Sequence, residues 1–425
     1  MKMKYFIFDK ARYFKSLVLL AMVITAYTGA INRGESLLWV ICALLLASLI
    51  IGISWPYWLI RTMSVARTGP ESAQVGDTVN FNIEVTNTGC LPRFMIEVID
   101  WLPFSNSKAG VLTPGYQELG VISYVGGGKK HIFDAVMVCD KRGYYRIGAI
   151  QLATSFPLGL FEVRKHRKES VRTLIIYPEM FQMISPPFFG ALSKIDHGSL
   201  HVPEKKGTAE FTALREYQFG DNPRHIHWGT TARLNQLMIR EFDLQTSIRI
   251  CLILDMAADA NHGNGRHSTL EYAITISASI SRYADDNKMP FRLTGDGIWP
   301  SSTDINVEQK YFQNTLDKLA VIDSGNAMPY GKFLENFSGN IIYGETTIIF
   351  LSEPQERVQS TLQSIALLKA FGANVIAVVF DQNTFIGEKK ILDAAKDQLI
   401  ASLSQMQIGI IQVRKGDNLS KLFNV

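Results

Sequence analysis

Ile248-Arg-Ile-Cys-Leu-Ile-Leu-Asp255 is a nearly continuous apolar run closed by a carboxylate. Such a run suits a parallel strand covered on both faces, because neither side of it meets water. The stretch that follows, Ser268 to Asp285, sets Leu270, Ala273, Ile274 and Ser277 on one side of a helix. The alternation then repeats with strand Phe291 to Thr294, helix Val307 to Val321, strand Thr346 to Ser352 and helix Glu356 to Phe371. It closes with strand Asn374 to Asp381, helix Glu388 to Ser404, strand Ile408 to Val413 and a short helix after Gly416-Asp417. Strands and helices alternating at this spacing predict βαβ units and an α/β doubly wound domain over residues 245–425. Ligands of such sheets bind beyond the carboxyl ends of the strands, and Asp255, Glu353 and Asp381 each fall at one.

Upstream the period changes. Val79-Asn-Phe-Asn-Ile-Glu-Val-Thr86 alternates apolar and polar residues, the signature of a strand with one buried face. Phe94 to Ile99, His131 to Val138, Tyr144 to Leu152 and Thr173 to Tyr177 continue in that style, with turns at Gly76-Asp77, Asn87-Thr88-Gly89, Gly126-Gly-Gly128 and Arg142-Gly143. Short strands so spaced predict an antiparallel β-sandwich of immunoglobulin-like kind over residues 62–185. Gly126-Gly-Gly-Lys-Lys130 lacks the glycine spacing of a phosphate loop and lacks Ser or Thr after the lysine. It reads as a hairpin turn.

Residues 1–61 form a third region. Ser16 to Asn32 and Ser36 to Ile60 hold no charged residue, and runs of 17 and 25 residues suit helices that cross a bilayer. Arg33-Gly34-Glu35 between them is short enough to force a hairpin of two transmembrane helices, about 16–32 and 36–60. Trp39, Trp55, Tyr57 and Trp58 lie near the ends of the second run, where amphipathic rings favour the interface. Lys2, Lys4, Lys10, Arg12 and Lys15 precede the first run, and Arg61 and Arg67 follow the second. The positive-inside bias therefore puts the N-terminus and everything after residue 60 on the cytoplasmic side of the inner membrane. A cleaved signal peptide for the first run is the alternative, and the second run would then still stop transfer.

Composition agrees with two soluble domains on a membrane anchor. The 425 residues are 47% hydrophobic and 19% charged, and the net charge is only +4. The basic residues are dispersed, which argues against nucleic-acid binding. Cys42, Cys90, Cys139 and Cys251 show no ligand-like spacing and read as isolated buried thiols.

Residues 186–244 link the two domains and hold the most distinctive stretch, from Leu214 through Arg215-Glu216-Tyr217, Gly220-Asp221, Pro223-Arg224, Ile226, Trp228 and Ala232-Arg233 to Ile239-Arg240-Glu241. This pattern resembles the signature of the bacterial family called domain of unknown function fifty-eight, as does Ser155-Phe-Pro-Leu-Gly-Leu-Phe161 upstream. His227 stands where that family usually has Asp, and Gly229 where it usually has Lys. The resemblance implies a membrane hairpin, a β-domain, the signature and a von Willebrand factor A-like domain. It also implies a binding module that works with a MoxR-type AAA+ ATPase. A-type domains often hold Mg²⁺ through Asp-x-Ser-x-Ser, but here the motif reads Asp255-Met-Ala-Ala-Asp259 and both serines are gone. Asp255, Asp259 and Glu353 could still supply three oxygen ligands.

The signature's charges, with Arg215, Glu216, Asp221, Arg224, Arg233, Arg240 and Glu241, admit two readings. One is an anion site with bidentate arginine clamps. The favoured one is an ion-pair network between the domains, with Tyr217 and Trp228 packed beneath it. His225 and His227 alternate without an evident third metal ligand, and the loop 258–268, with His262 and His267, is expected to be mobile. Neither Gly-x-Ser-x-Gly nor His-Glu-x-x-His occurs. The leading expectation is a membrane-tethered, non-enzymatic interaction protein; the runner-up is a divalent-metal-dependent hydrolase at the acidic strand ends.

Overall fold

In the computed structural model, residues 10–106, 112–187, 210–217, 226–243, 249–296, 309–325, 328–352, 354–386 and 394–424 are described. The chain divides into two compact units, Met1–Glu179 with Leu316–Val321, and Met180–Thr315 with Ile322–Val425.

The first unit begins with two helices, α1 (Lys10–Arg33) and α2 (Ser36–Arg61), joined as a hairpin at Gly34, whose φ of +64° suits glycine. Tyr27 and Trp39 meet edge to face across the pair at 6.1 Å. Among the described residues, α2 alone is long and apolar enough by length and composition to cross a bilayer; the apolar part of α1, Leu17–Arg33, is shorter. The expected pair of spans is corrected to one on that criterion, because α1 opens on Lys10, Arg12 and Lys15.

Ten strands follow: β1 (Met63–Thr68), β2 (Ser72–Gln74), β3 (Thr78–Asn87), β4 (Arg93–Asn106), β5 (Leu112–Val125), β6 (Lys130–Val138), β7 (Gly143–Ile147), β8 (Ile150–Thr154), β9 (Val163–Arg167) and β10 (Arg172–Tyr177). They pair as β1-β3-β6, β2-β10-β7 and β5-β4-β8-β9. Every pairing is antiparallel except β2 with β10. Alternation in β3 buries Val79, Phe81, Ile83 and Val85, which join Ile96, Val98, Leu152 and Leu174 in one core fed by all three sheets. The single strand expected over Tyr144 to Leu152 breaks into β7 and β8, which belong to different sheets. Gly148 and Ala149 turn that corner with φ of +106° and +21°, and Ser170 Oγ accepts the Ile150 amide at 2.9 Å. Gly126–Lys129 is a hairpin turn, as expected; a Cβ at Gly127 would lie 2.3 Å from the Cys90 carbonyl oxygen. Of the four thiols, Cys90 is exposed rather than buried.

The end of α2 is built into this unit. Gly52, Pro56, Leu59 and Ile60 recur at helical spacing and are buried. Arg167 Nη2 donates to the Ile60 carbonyl at 2.6 Å, matching a cation to the negative end of the helix. The Arg93 guanidinium lies 4.2 Å from the Trp58 ring centre and donates to Thr62 Oγ1 at 2.7 Å.

In the second unit, β11 (Glu210–Glu216) and β12 (Met238–Asp243) form an antiparallel hairpin that carries α3 (Trp228–Leu234). The parallel sheet uses β13 (Ile250–Leu254), β16 (Phe291–Gly295), β17 (Thr346–Leu351), β18 (Asn374–Phe380) and β19 (Gly409–Val413) in the order β16-β13-β17-β18-β19. Two-residue strands β14 (Gly263–Asn264) and β15 (His267–Ser268) pair ahead of α4 (Thr269–Asp286). The other helices are α5 (Gln309–Val321), α6 (Tyr330–Phe337), α7 (Val358–Ala370), α8 (Gln382–Ile386), α9 (Ala394–Gln405) and α10 (Leu419–Leu422). The sequence alternation holds strand by strand. Helix α6 lies outside it; Tyr330 OH donates to the Ile253 carbonyl at 2.7 Å and Leu334 is buried.

Candidate functional site

Chain order along the sheet is second, first, third, fourth, fifth, so connections leave β13 and β17 in opposite directions. The carboxyl ends of those two strands form the topological switch point, where open α/β sheets bind ligands. Asp255 follows β13 there and Ser352 follows β17. With Asn261, Thr269, Phe350 and Phe380 they line a crevice of ≈ 230 Å³, open to solvent and below the size that encloses a metabolite.

The polar groups of this crevice are largely wired to one another. Asp255 Oδ1 accepts from the Ala257 amide at 3.0 Å. Asn261 Oδ1 accepts from the Leu270 amide at 3.3 Å while its Nδ2 donates to Ser324 Oγ at 3.1 Å. Thr269 Oγ1 accepts from the His262 amide at 3.0 Å and donates to the Ala260 carbonyl at 3.1 Å. The loop 258–268, expected to be mobile, is thereby tied down, and Ser268 caps α4 through the Glu271 amide at 3.3 Å. Ser352 Oγ is buried without a partner among the described residues.

Sequence reading put Asp255, Asp259 and Glu353 together as ion ligands. Asp259 instead pairs with Arg357 at 2.6 Å, and Glu353 lies outside the described residues. Asp381 pairs with Lys396 at 2.7 Å, with Arg414 at 3.6 Å. Mg²⁺ needs a near-octahedral set of oxygens. Among the described residues no three His, Cys, Asp or Glu side chains are grouped to hold an ion, so those residues do not fit Mg²⁺. The partner Arg357 carried no sequence signal, because it belongs to another strand's loop.

His262 sits half-buried in the same loop, its Nε2 without a partner among the described residues. Burial pushes its pKa below the ordinary 6.5, with Asp259 pulling the other way. A lowered imidazole binds its proton more weakly when folded than when unfolded. Its contribution is intact at neutral pH and falls away as pH drops below about 6.5. Thermal melts from pH 7 to pH 5 are expected to lose stability in wild type and to flatten in His262→Gln; parallel curves would refute this.

The signature is built as the β11–β12 hairpin. Leu214 pairs with Arg240, Ala213 with Glu241 and Arg215 with Ile239. The side chains of Arg215, Arg240 and Glu241, and all of Gly220, Asp221, Arg224 and His225, lie outside the described residues. Glu216 and Arg233 are exposed and Tyr217 is half-buried. Trp228, expected beneath a network, is 67% exposed, and α3 buries none of its residues. His227 explains the departure from Asp at its position: its Nδ1 accepts from the Thr230 amide at 3.1 Å and caps α3, the service an Asp carboxylate gives. Gly229 follows in the first turn.

Residues 213–297 match the family model for "Protein of unknown function DUF58". The DUF58 segment runs from within β11 to just past β16, so it holds the hairpin, α3, Asp255, Asn261 and Thr269. An uncharacterized protein of Bacillus subtilis, YeaD, is 24% identical over 193 residues, 45% of this chain and 46% of that protein. The chain thus matches about half of that relative's length. Among solved structures, the CARDB domain of the Pyrococcus furiosus PF1109 protein, with di-metal ions, is 13% identical and covers 27% of this chain and 91% of its own, at a TM-score of 0.17. The Pseudomonas fluorescens alkylpurine DNA glycosylase AlkC is 10% identical over 27% of this chain and 30% of its own, at a TM-score of 0.19. Scores this low carry no fold or function across.

Proposed function

We propose that this protein is a membrane-anchored interaction module in which α3 of the DUF58 segment presents a docking point for a partner protein. One observation supports this most directly. Trp228 stands 67% exposed on a helix without a buried residue, beside exposed Leu234 and Leu237. Large exposed aromatic anchors are what interface hot spots use, and a fold that needed Trp228 for its own stability would cover it.

The anchor of this reading is α2, with α1 folded back on it as a hairpin and the charged flanks placing both units on the cytoplasmic face of the inner membrane. The resemblance to domain of unknown function fifty-eight names the partner class, a MoxR-type AAA+ ATPase, and lends the parallel-sheet unit a von Willebrand factor A-like role as binding module. The same resemblance gives the β-unit its immunoglobulin-like reading. These attributions are by analogy of family, not by site chemistry.

The test uses the full-length chain solubilised in detergent, with a purified MoxR-type ATPase added in the presence and absence of ATP. Wild type is expected to retain the ATPase in one nucleotide state. Trp228→Ala is expected to weaken retention by about 2 kcal/mol or more, roughly 30-fold, while Asp255→Ala leaves it unchanged. Retention indifferent to Trp228 would overturn the docking point, and no retention in either state would remove the partner class.

A further inference from the structure

The loop between β8 and β9 reads Ser155-Phe-Pro-Leu-Gly-Leu-Phe161 and holds no charge. None of these residues joins the core of the β-unit. Pro157, Leu158 and Gly159 form an exposed tip, Leu158 being 47% exposed. The loop leans on α2: a Cβ at Gly52 would lie 3.2 Å from Leu160 Cδ1 and 3.8 Å from Leu158 Cδ1. At its root Phe156 stacks on Phe94 at 5.5 Å, and Phe94 meets the exposed ring of Tyr124 at 5.6 Å.

The level of Gly52 along α2 decides what surrounds that tip. A hydrocarbon core of about 30 Å takes about 20 helical residues at about 1.5 Å each. Counted from Leu37, it ends near Pro56, among the interfacial rings of Trp55, Tyr57 and Trp58. Gly52 then lies four residues inside that edge, about 6 Å deep. Leaving the loop, the chain turns strongly basic along Val163-Arg-Lys-His-Arg-Lys168. The pKa of Lys165 is lowered, by burial first and then by the charges of Arg167 and Arg61, which sets this strand near the end of α2.

We infer that the 155–161 loop is a lipid-inserted wedge, its Leu158 tip sunk in the acyl region of the near leaflet beside α2 while β9 meets the anionic headgroups. An interfacial element buries its apolar side about 5–10 Å deep, which matches the level of Gly52. Lipid is the occupant because the loop continues, without a break, the apolar surface of the spanning helix. The wedge rests on the reading of α2 as that span, and the test separates the two.

Full-length protein carrying Cys90→Ser loses its one exposed thiol; Cys42 is buried, and burial pushes the thiols of Cys139 and Cys251 up to about 11 and about 12. On this background Leu158→Cys or Leu46→Cys is labelled with an environment-sensitive fluorophore and reconstituted into vesicles of phosphatidylethanolamine and phosphatidylglycerol. The label at 158 is expected to emit blue-shifted light and to be quenched by nitroxide near the top of the acyl chain, but not by aqueous iodide. The label at 46, in the middle of α2, is expected to be quenched by nitroxide placed deeper. If 46 is quenched by lipid nitroxide and 158 only by iodide, the wedge is overturned and the span stands. If iodide reaches both and lipid nitroxide neither, both fall.

Discussion

Glu345→Ala is expected to destabilise the parallel-sheet unit by about 3–5 kcal/mol, the loss typical of stripping one partner from a buried ion pair. Glu345 precedes β17 and takes both forks of Arg292 on β16, Nε to Oε1 at 2.8 Å and Nη2 to Oε2 at 2.5 Å. The two side chains are 0% and 3% exposed. Arg292 also donates to the Asn340 carbonyl at 3.0 Å and lies 5.0 Å from the centre of the Phe337 ring. Alanine leaves that guanidinium buried with one carbonyl for company. The pair ties the first residues of two strands on either side of β13, so the loss should reach the whole sheet. Urea unfolding followed by far-ultraviolet dichroism measures it; a midpoint within error of wild type would refute the assignment. Replacing both partners with apolar residues of similar volume should cost far less, because no charge is then stranded.

Asp100→Ala should do comparable damage, about 3–5 kcal/mol, in the β-unit. Asp100 on β4 pairs with Arg67 on β1, whose side chain is fully buried and lies 5.7 Å from the Phe81 ring centre. No sheet hydrogen bonds join β1 to β4, so this ion pair links two of the three sheets directly. The full-length chain in detergent micelles, unfolded by heat, should show an early transition in Asp100→Ala while Arg67→Met with Asp100→Leu recovers most of the difference. Equal losses in the single and double variants would show that packing, not the stranded charge, sets the cost.

The parallel sheet was legible because strands covered on both faces leave unbroken apolar runs; all five residues of β13 are buried. The β-unit was legible where one face alternates, as in β3, and obscure elsewhere. Strand β5 carries Pro114-Gly115 and bulges against β4 at Val98 and Ile99, which hid its period. Strand ends announced Asp255 and Asp381, since topology alone puts them at one edge of the sheet. Which cation each carboxylate takes was not legible: Arg357 and Lys396 come from helices and turns far along the chain. His227 reads as a lost acid in the sequence and as a retained cap in the fold, because capping needs an acceptor atom rather than a carboxylate. The exposure of Trp228 has no sequence signal either, since an aromatic in a charged stretch is equally at home in a core.

The junction of α2 with the β-unit has a mechanical consequence. There is no slack between them: β1 begins two residues after the helix, Arg167 grips its last carbonyls and Arg93 clasps Trp58. A protein hung on a flexible tether absorbs a pull in the tether. Here a force or torque applied to the strands passes straight into the helix, so a partner that tugs on the β-unit would tilt or drag the anchor itself.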